Sequence, residues 1–476
     1  MAALVECGLI LPALTDSFAL CKAARCIYFP IYKETFISSF FLYKTMVGKD
    51  KWGRLIRDWN EKELPRTVDR EAEIPEPKVN RAVILIGPRR AGKTYCMFIA
   101  IKGLSKSVGR EKLLYINLER ADLGLLDYSD LNRMLETYRE IYPGTRDGEL
   151  RLFLDEIQNV KGWERFVRSC LDDGIKVFLT GSSSKLLSKE IATEMAGRSL
   201  SYAILPFSFR EYLRARGMEV RKYYSTNEEA LVKKSLAEYV EWGGYPEAIL
   251  YPEERERIIR DIFDTAILKD IEGRYKIRNT ALLKAFVKAL LTAKEFSINK
   301  FYNYTKGLGI SVGKNTLYNY LEYLEEAFIV VAVRKFGRSY KKPGQSLPKI
   351  YFIDNGLLTA NGIEDRGRLV ENIVLTELVR KGKEVGYWKN SQGEEVDFVV
   401  ASRRKAGQLI QVSYDMSSPD TRAREVKALL KASEELRCND LLIITMGEEG
   451  LEKAKGKAIK IVPLWKWLLR PIEKSS

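Results

Sequence analysis

Eight consecutive residues carry the strongest chemical signal in this chain: Gly87-Pro88-Arg89-Arg90-Ala91-Gly92-Lys93-Thr94. Glycines at this spacing let main-chain N–H groups turn inward around phosphate oxygens, and the start of a helix adds its positive dipole. In such a loop Lys93 reaches the β- and γ-phosphates and the Thr94 hydroxyl ligates Mg²⁺, so ATP and Mg²⁺ are the expected ligands. Further on, Arg151-Leu-Phe-Leu-Asp155-Glu156 reads as an apolar strand ending in two acids. A carboxylate at the carboxyl edge of a parallel strand faces the side on which a phosphate loop lies. Asp155 is expected to hold Mg²⁺ and Glu156 to polarise an attacking water as general base. Paired acids at a strand end are also stable simply in water; the loop upstream favours the chemical reading. Ser182, in Thr180-Gly-Ser-Ser-Ser184, is expected to sense the γ-phosphate or orient the water, with ordinary turn chemistry as the alternative. Arg198 reads as a guanidinium for the transition state, in its own site or a neighbouring subunit's, or as a plain surface arginine.

These residues need a particular scaffold. Ala82–Ile86 is a compact apolar strand leading into the loop, and helix-period apolar residues follow Thr94 as far as Val108. Strands are expected at Leu113–Leu118, Leu152–Leu154 and Val177–Thr180, with helices at Leu131–Ile141 and Trp163–Leu171. Strands alternating with helices imply an α/β fold with a parallel sheet covered on both faces. Beyond Pro206 the pattern turns helical, with a turn at Gly243-Gly-Tyr-Pro246, and Ile258 to Leu291 reads as nearly all helix. Phe296–Tyr304, Lys314–Glu325 and the strand-like Phe328–Val333 suggest a helix-turn-helix with a wing. A final α/β segment starts at Tyr351, with strands at Val396–Val400, Leu409–Ser413 and Leu441–Thr445.

Composition narrows the chemistry. Histidine is absent from all 476 residues, which removes imidazole acid/base catalysis, a Ser-His-Asp triad and histidine-bound metals together. Six cysteines form no CxxC pairs, so a reduced cytoplasmic setting is expected. Scarce glutamine beside abundant Lys, Arg and Glu matches proteins of hot environments. No run is long and apolar enough to suggest a membrane span. Net charge is +15, and the stretch from Lys269 to Lys349 holds 16 Lys/Arg against 6 Asp/Glu. A cationic excess concentrated in about one sixth of the chain points to a polyanionic partner, most simply DNA.

The order of phosphate loop, Leu154-Asp-Glu-Ile-Gln158, Thr180-Gly-Ser-Ser-Ser184, Gly197-Arg198 and Pro206-Phe-Ser-Phe-Arg-Glu-Tyr-Leu213 resembles the AAA-type ATPases of archaea and bacteria. Those often carry a C-terminal domain similar to PD-(D/E)xK nucleases. The resemblance covers about residues 50–470. It implies a P-loop ATPase core (46–205), a helical lid (206–292), a winged-helix-like basic region (293–350) and a nuclease-like α/β domain (351–476). Residues 1–45 are patterned differently and read as a mis-called extension, with Met46 as the natural start.

In the basic region, Lys314, Asn315, Thr316 and Asn319 stand near the start of a helix, where a recognition helix reads bases. Packing against protein is the alternative use of that helix. In the last domain a nuclease site needs Glu371, Asp397 and a lysine, yet Ser413 stands at the lysine's position, which argues against cleavage. The leading expectation is Mg-ATP hydrolysis coupled to DNA binding. The alternatives are a nucleotide-gated switch with protein partners and little turnover, and an ATP-controlled nuclease. Oligomeric state is open.

Overall fold

The computed structural model describes residues 46–181, 195, 197–337 and 347–470. The chain divides into Met1–Met46 and Val47–Ser476, and every element below belongs to the second unit. The expectations for residues 1–45 and for Ser182 lie outside the described residues.

Helix α1 (Lys49–Glu61) precedes a five-stranded sheet. Its strands are β1 (Ala82–Ile86), β2 (Leu113–Asn117), β4 (Arg151–Asp155), β6 (Lys176–Gly181) and β7 (Ser199–Ala203). The two-residue strands β3 (Leu126–Asp127) and β5 (Val160–Lys161) pair separately. All neighbours in the main sheet are parallel, in the order β2-β4-β6-β1-β7. The five residues Ala-Val-Ile-Leu-Ile of β1 are buried throughout, as a strand covered on both faces requires. Helices α2 (Lys93–Leu104), α3 (Tyr128–Ile141) and α4 (Trp163–Asp172) connect the strands. Helix α3 starts with a capping box in which Asp127 and Asp130 satisfy each other's main-chain donors.

The core changes hands between Ile204, packed with the main sheet, and Leu205, packed with the helices that follow, while the far face of the last sheet has a third core of its own around Trp388, Leu429 and Ile443. That second core holds α5 (Phe209–Ala215), α6 (Thr226–Trp242), α7 (Pro246–Leu250) and α8 (Arg255–Thr265), which continues as a π-helical segment, Ala266–Gly273. Helices α9 (Thr280–Thr292), α10 (Ile298–Gly307) and α11 (Lys314–Glu326) follow, then an antiparallel pair, β8 (Val330–Val333) and β9 (Lys349–Phe352). The expected boundary at residue 350 falls within β9, which pairs with β8. After α12 (Asn355–Thr359) and α13 (Arg366–Arg380) comes a mixed sheet, order β10-β11-β12-β13-β15-β14. Its strands are β10 (Val385–Lys389), β11 (Glu395–Ser402), β12 (Lys405–Ser413), β13 (Leu441–Thr445), β14 (Gly450–Ala454) and β15 (Lys457–Pro463). Helix α14 (Pro419–Leu436) precedes β13, and α15 (Leu464–Leu468) ends the fold.

The Gly243-Gly244 turn is where these parts are pinned. Gly244 N–H donates to Asp354 Oδ2 at 2.7 Å, and Gly244 C=O accepts from Phe207 N–H at 2.7 Å. A Cβ on Gly244 would lie 2.2 Å from the Phe207 carbonyl oxygen, a backbone atom with little room to give. Gly244→Ala is therefore expected to cost about 3 kcal/mol through overpacking, read as a lower urea midpoint than wild type. An unchanged midpoint would contradict this packing.

Candidate nucleotide site

The loop between β1 and α2 is shaped by its glycines. Gly87 has φ 149°, and a Cβ there would sit 2.0 Å from the Ile204 carbonyl oxygen; Gly92 has φ 92°. Both are conformations that glycine adopts without strain. Lys93 opens α2 and is 4% exposed. Its Nζ donates to the carbonyl oxygens of Gly87 and Pro88 at 3.1 and 3.0 Å. No carboxylate among the described residues forms an ion pair with it. Burial lowers its pKa, while Glu156, Asp155 and Asp270 oppose that.

Across β6 from the loop, Asp155 ends β4 and is buried. Its Oδ2 accepts from Thr94 Oγ1 and from Tyr115 OH, each at 2.8 Å, and its Oδ1 accepts from Thr180 Oγ1. Burial raises its pKa, and the hydroxyl donors pull it back. Thr180 was not among the expected site residues. Its place follows from the strand order: β6 lies between β4 and β1, so its last residues stand between the acids and the loop. The sequence signal was the same Thr-Gly-Ser-Ser-Ser run, in which Ser182 was singled out and Thr180 was not.

Glu156 has φ 56° and ψ 52°, a left-handed conformation unusual for a non-glycine residue. Its N–H donates to Thr180 Oγ1 at 2.9 Å, and its carboxylate accepts from Gln158 Nε2. Strain of this kind persists where neighbours hold it, as Thr180 does here. Thus Lys93, Thr94, Asp155 and Glu156 converge on one corner of the sheet.

Arg198 does not converge with them. Its C=O accepts from Ala82 N–H at 2.9 Å, and its guanidinium pairs with Asp172. Ala82 pairs with Ser199, whereas the loop begins beyond Ile86, opposite Ala203. The length of β1 separates them, about 16 Å. The expectation for Arg198 left its own site, a neighbouring subunit's site and a plain surface role open; here it pairs with Asp172 at the opposite end of β1 from the loop. Arg89 and Arg90 turn toward the helices after Leu205: Arg89 bonds Asp270, and Arg90 bonds Glu247.

Two other clusters were expected. Glu371 and Asp397 do come together, around Lys349 of β9. Lys349 Nζ lies 3.1 Å from Glu371 Oε1, 3.1 Å from Asp397 Oδ1 and 2.5 Å from Glu395 Oε1. Burial works against its charge, but these acids outweigh it and hold the ammonium well above its usual range. The Ser413 hydroxyl donates instead to the Asp415 carbonyl at 3.0 Å. In the basic stretch, Lys276, Arg278, Lys284, Lys288, Lys300, Lys306 and Lys314 are exposed, and none pairs with a carboxylate among the described residues. Of the six acids in the stretch, five are otherwise engaged, and Glu322 is exposed on α11. Asp270 holds Arg89, Glu295 holds Lys389 and Glu325 holds Arg334. Glu272 accepts from Thr280, and Glu326 from Tyr275.

A parallel sheet with a glycine loop, a buried lysine and two acids at a strand end defines an AAA-type P-loop domain. An AAA domain model matches residues 79–213, and two domains of unknown function, DUF8612 and DUF4143, match residues 233–366 and 366–467. The chain belongs to the family of the uncharacterized protein MJ1544 of Methanocaldococcus jannaschii, with which it is 37% identical over 85% of this chain and 91% of that one. An uncharacterized protein of Haemophilus influenzae is 28% identical over 81% of this chain and 94% of that one. Among solved structures, Cdc6p from Pyrobaculum aerophilum overlaps 71% of this chain and 96% of that one at 15% identity, with a TM-score of 0.24. AMPPCP-bound DnaA from Aquifex aeolicus overlaps 59% and 89% at 12% identity, with a TM-score of 0.23. Scores this low carry no argument. No helix among the described residues is long and apolar enough to cross a membrane.

Proposed function

We propose that this protein binds and hydrolyses Mg-ATP and couples that cycle to DNA binding through the basic surface of α9–α11. The observation that carries the nucleotide half is Lys93: a buried ammonium, satisfied by loop carbonyls and lacking a carboxylate partner, is built for an anionic ligand. The donor set also fits the metal, since Thr94 and Asp155 offer hard oxygens side by side. Bound there, Mg²⁺ would neutralise charge on the phosphates. Thr180 and Tyr115 hold the Asp155 carboxylate in place, and Glu156, half-buried and fixed through its own N–H, takes the proton of the attacking water. Arg198 contributes only if a second copy presents it to this site.

Exposed lysines with no carboxylate partner among the described residues support the DNA half, because phosphate contacts dominate such affinity. Lys314 and Asn315 at the start of α11 are exposed, and Tyr318 is 47% exposed. The winged-helix reading assigns that end of the helix to the duplex. A nuclease role is not part of the proposal, since Lys349 stands among the acids a divalent cation would need. The test is anisotropy of labelled duplex DNA across a salt series. The Lys300→Glu/Lys314→Glu variant should bind at least about tenfold more weakly, with a salt slope reduced by about 0.9 per lost phosphate contact. Unchanged affinity and slope would remove DNA and leave a nucleotide-gated switch with protein partners.

A further inference from the structure

The phosphate-loop arginine Arg89 is held from outside the loop. Its Nε and Nη2 donate to Asp270 Oδ2 and Oδ1 at 3.2 and 3.1 Å, while Nη1 reaches Glu119 Oε1 at 3.4 Å. The two partners differ sharply in burial: the Asp270 side chain is 4% exposed and that of Glu119 45%. Asp270 lies in the π-helical segment Ala266–Gly273, and π turns are uncommon and concentrate at functional positions. Asp270 is near enough to Lys93 to help sustain its charge against burial. An acid from the helical region thus stands at the phosphate site itself.

A carboxylate beside a triphosphate is repelled unless a cation stands between them. Guanidinium, with five donors in a plane, can serve two anions at once. Nη1 is the donor most easily released, because Glu119 returns to water at little loss. Releasing Asp270 would instead leave a buried charge uncompensated.

We propose that Asp270 positions Arg89 for the phosphates: the bidentate bridge stays, Nη1 turns from Glu119 to the nucleotide, and the nucleotide is thereby tied to the π-helical segment. This rests on the ATP reading above. Asp270 is a positioning residue, since it touches Arg89 and not the substrate. Its segment also leads directly into the basic surface, beginning at Lys276 and Arg278.

Hydrogen exchange of the full chain, with and without a non-hydrolysable Mg-ATP analogue, combined with calorimetry of the same analogue, tests this. In wild type the analogue should slow exchange across Ala266–Gly273 by about tenfold. Asp270→Asn keeps shape and an acceptor but loses the charge. It should weaken analogue binding by about tenfold and abolish that protection, Asp270→Glu should restore part of both, and Glu119→Gln should alter neither. Should Asp270→Asn fail to fold, Arg89→Lys, which keeps charge without the fork, should show the same lost protection. Asp270→Asn with undiminished affinity and protection would overturn the proposal, even if its melting temperature fell. A wild type that binds no analogue would overturn the ATP reading and this inference together.

Discussion

Lys93→Ala weakens nucleotide binding by about 10²–10⁴-fold, the loss expected for charge-assisted contacts of about 1.5–3 kcal/mol each to two phosphates. The same lysine is a burden to the nucleotide-free fold. Burial depresses its pKa below the usual lysine range, so folding charged Lys93 costs stability. Its folded pKa lies below the unfolded one, so the unfolded chain holds more protons between the two values. Stability contributed by this group accordingly rises with pH through that window, whose upper end is the ordinary lysine pKa. Lys93→Met, which fills the same space without charge, is expected to match or exceed the wild-type urea midpoint at neutral pH, and to lack that rise. Calorimetry with Mg-ATP and urea melts at pH 7 and 10 read both effects. A lysine serving only structure would show the reverse: binding kept and the midpoint lowered.

Glu156→Gln is expected to hold ATP with wild-type affinity and to turn it over about 10²–10⁴-fold more slowly, the usual worth of a positioned general base. Glutamine keeps the shape, and the left-handed backbone is fixed by the N–H bond to Thr180, so geometry survives the change. With histidine absent, no imidazole can take over. Phosphate release at saturating ATP, set beside equilibrium binding, separates loss of chemistry from loss of affinity. Normal turnover in this variant would strip Glu156 of its assigned role.

The phosphate loop and the strand-end acids were legible because their signals are local. Gly87, Gly92, Lys93 and Thr94 act within one turn of chain, and β4 announces Asp155 by its apolar run. The strand β7 was not read, because Ser-Leu-Ser-Tyr-Ala alternates weakly and is only partly buried at the sheet edge. Thr180 was missed because its role comes from strand order, which a run of Thr, Gly and Ser does not encode. Asp270 and Lys349 were beyond reach for the same reason. The first meets Arg89 across 181 positions of sequence. The second enters its acid cluster from β9, while attention to the local pattern fell on Ser413. The helices α10 and α11 were legible from apolar spacing, and the basic excess from composition. The structure added how five of the six acids in that stretch are spent: on Arg89, Lys389 and Arg334, and on the hydroxyls of Thr280 and Tyr275, with Glu322 exposed on α11.

The central claim is that a magnesium-bound triphosphate sits between Lys93 and Asp155. Titration of a non-hydrolysable ATP analogue into wild type, in Mg²⁺ and again in EDTA, tests it most directly. The account predicts one analogue per chain, with affinity falling sharply in EDTA. No heat of binding, or equal affinity with and without the metal, would contradict it.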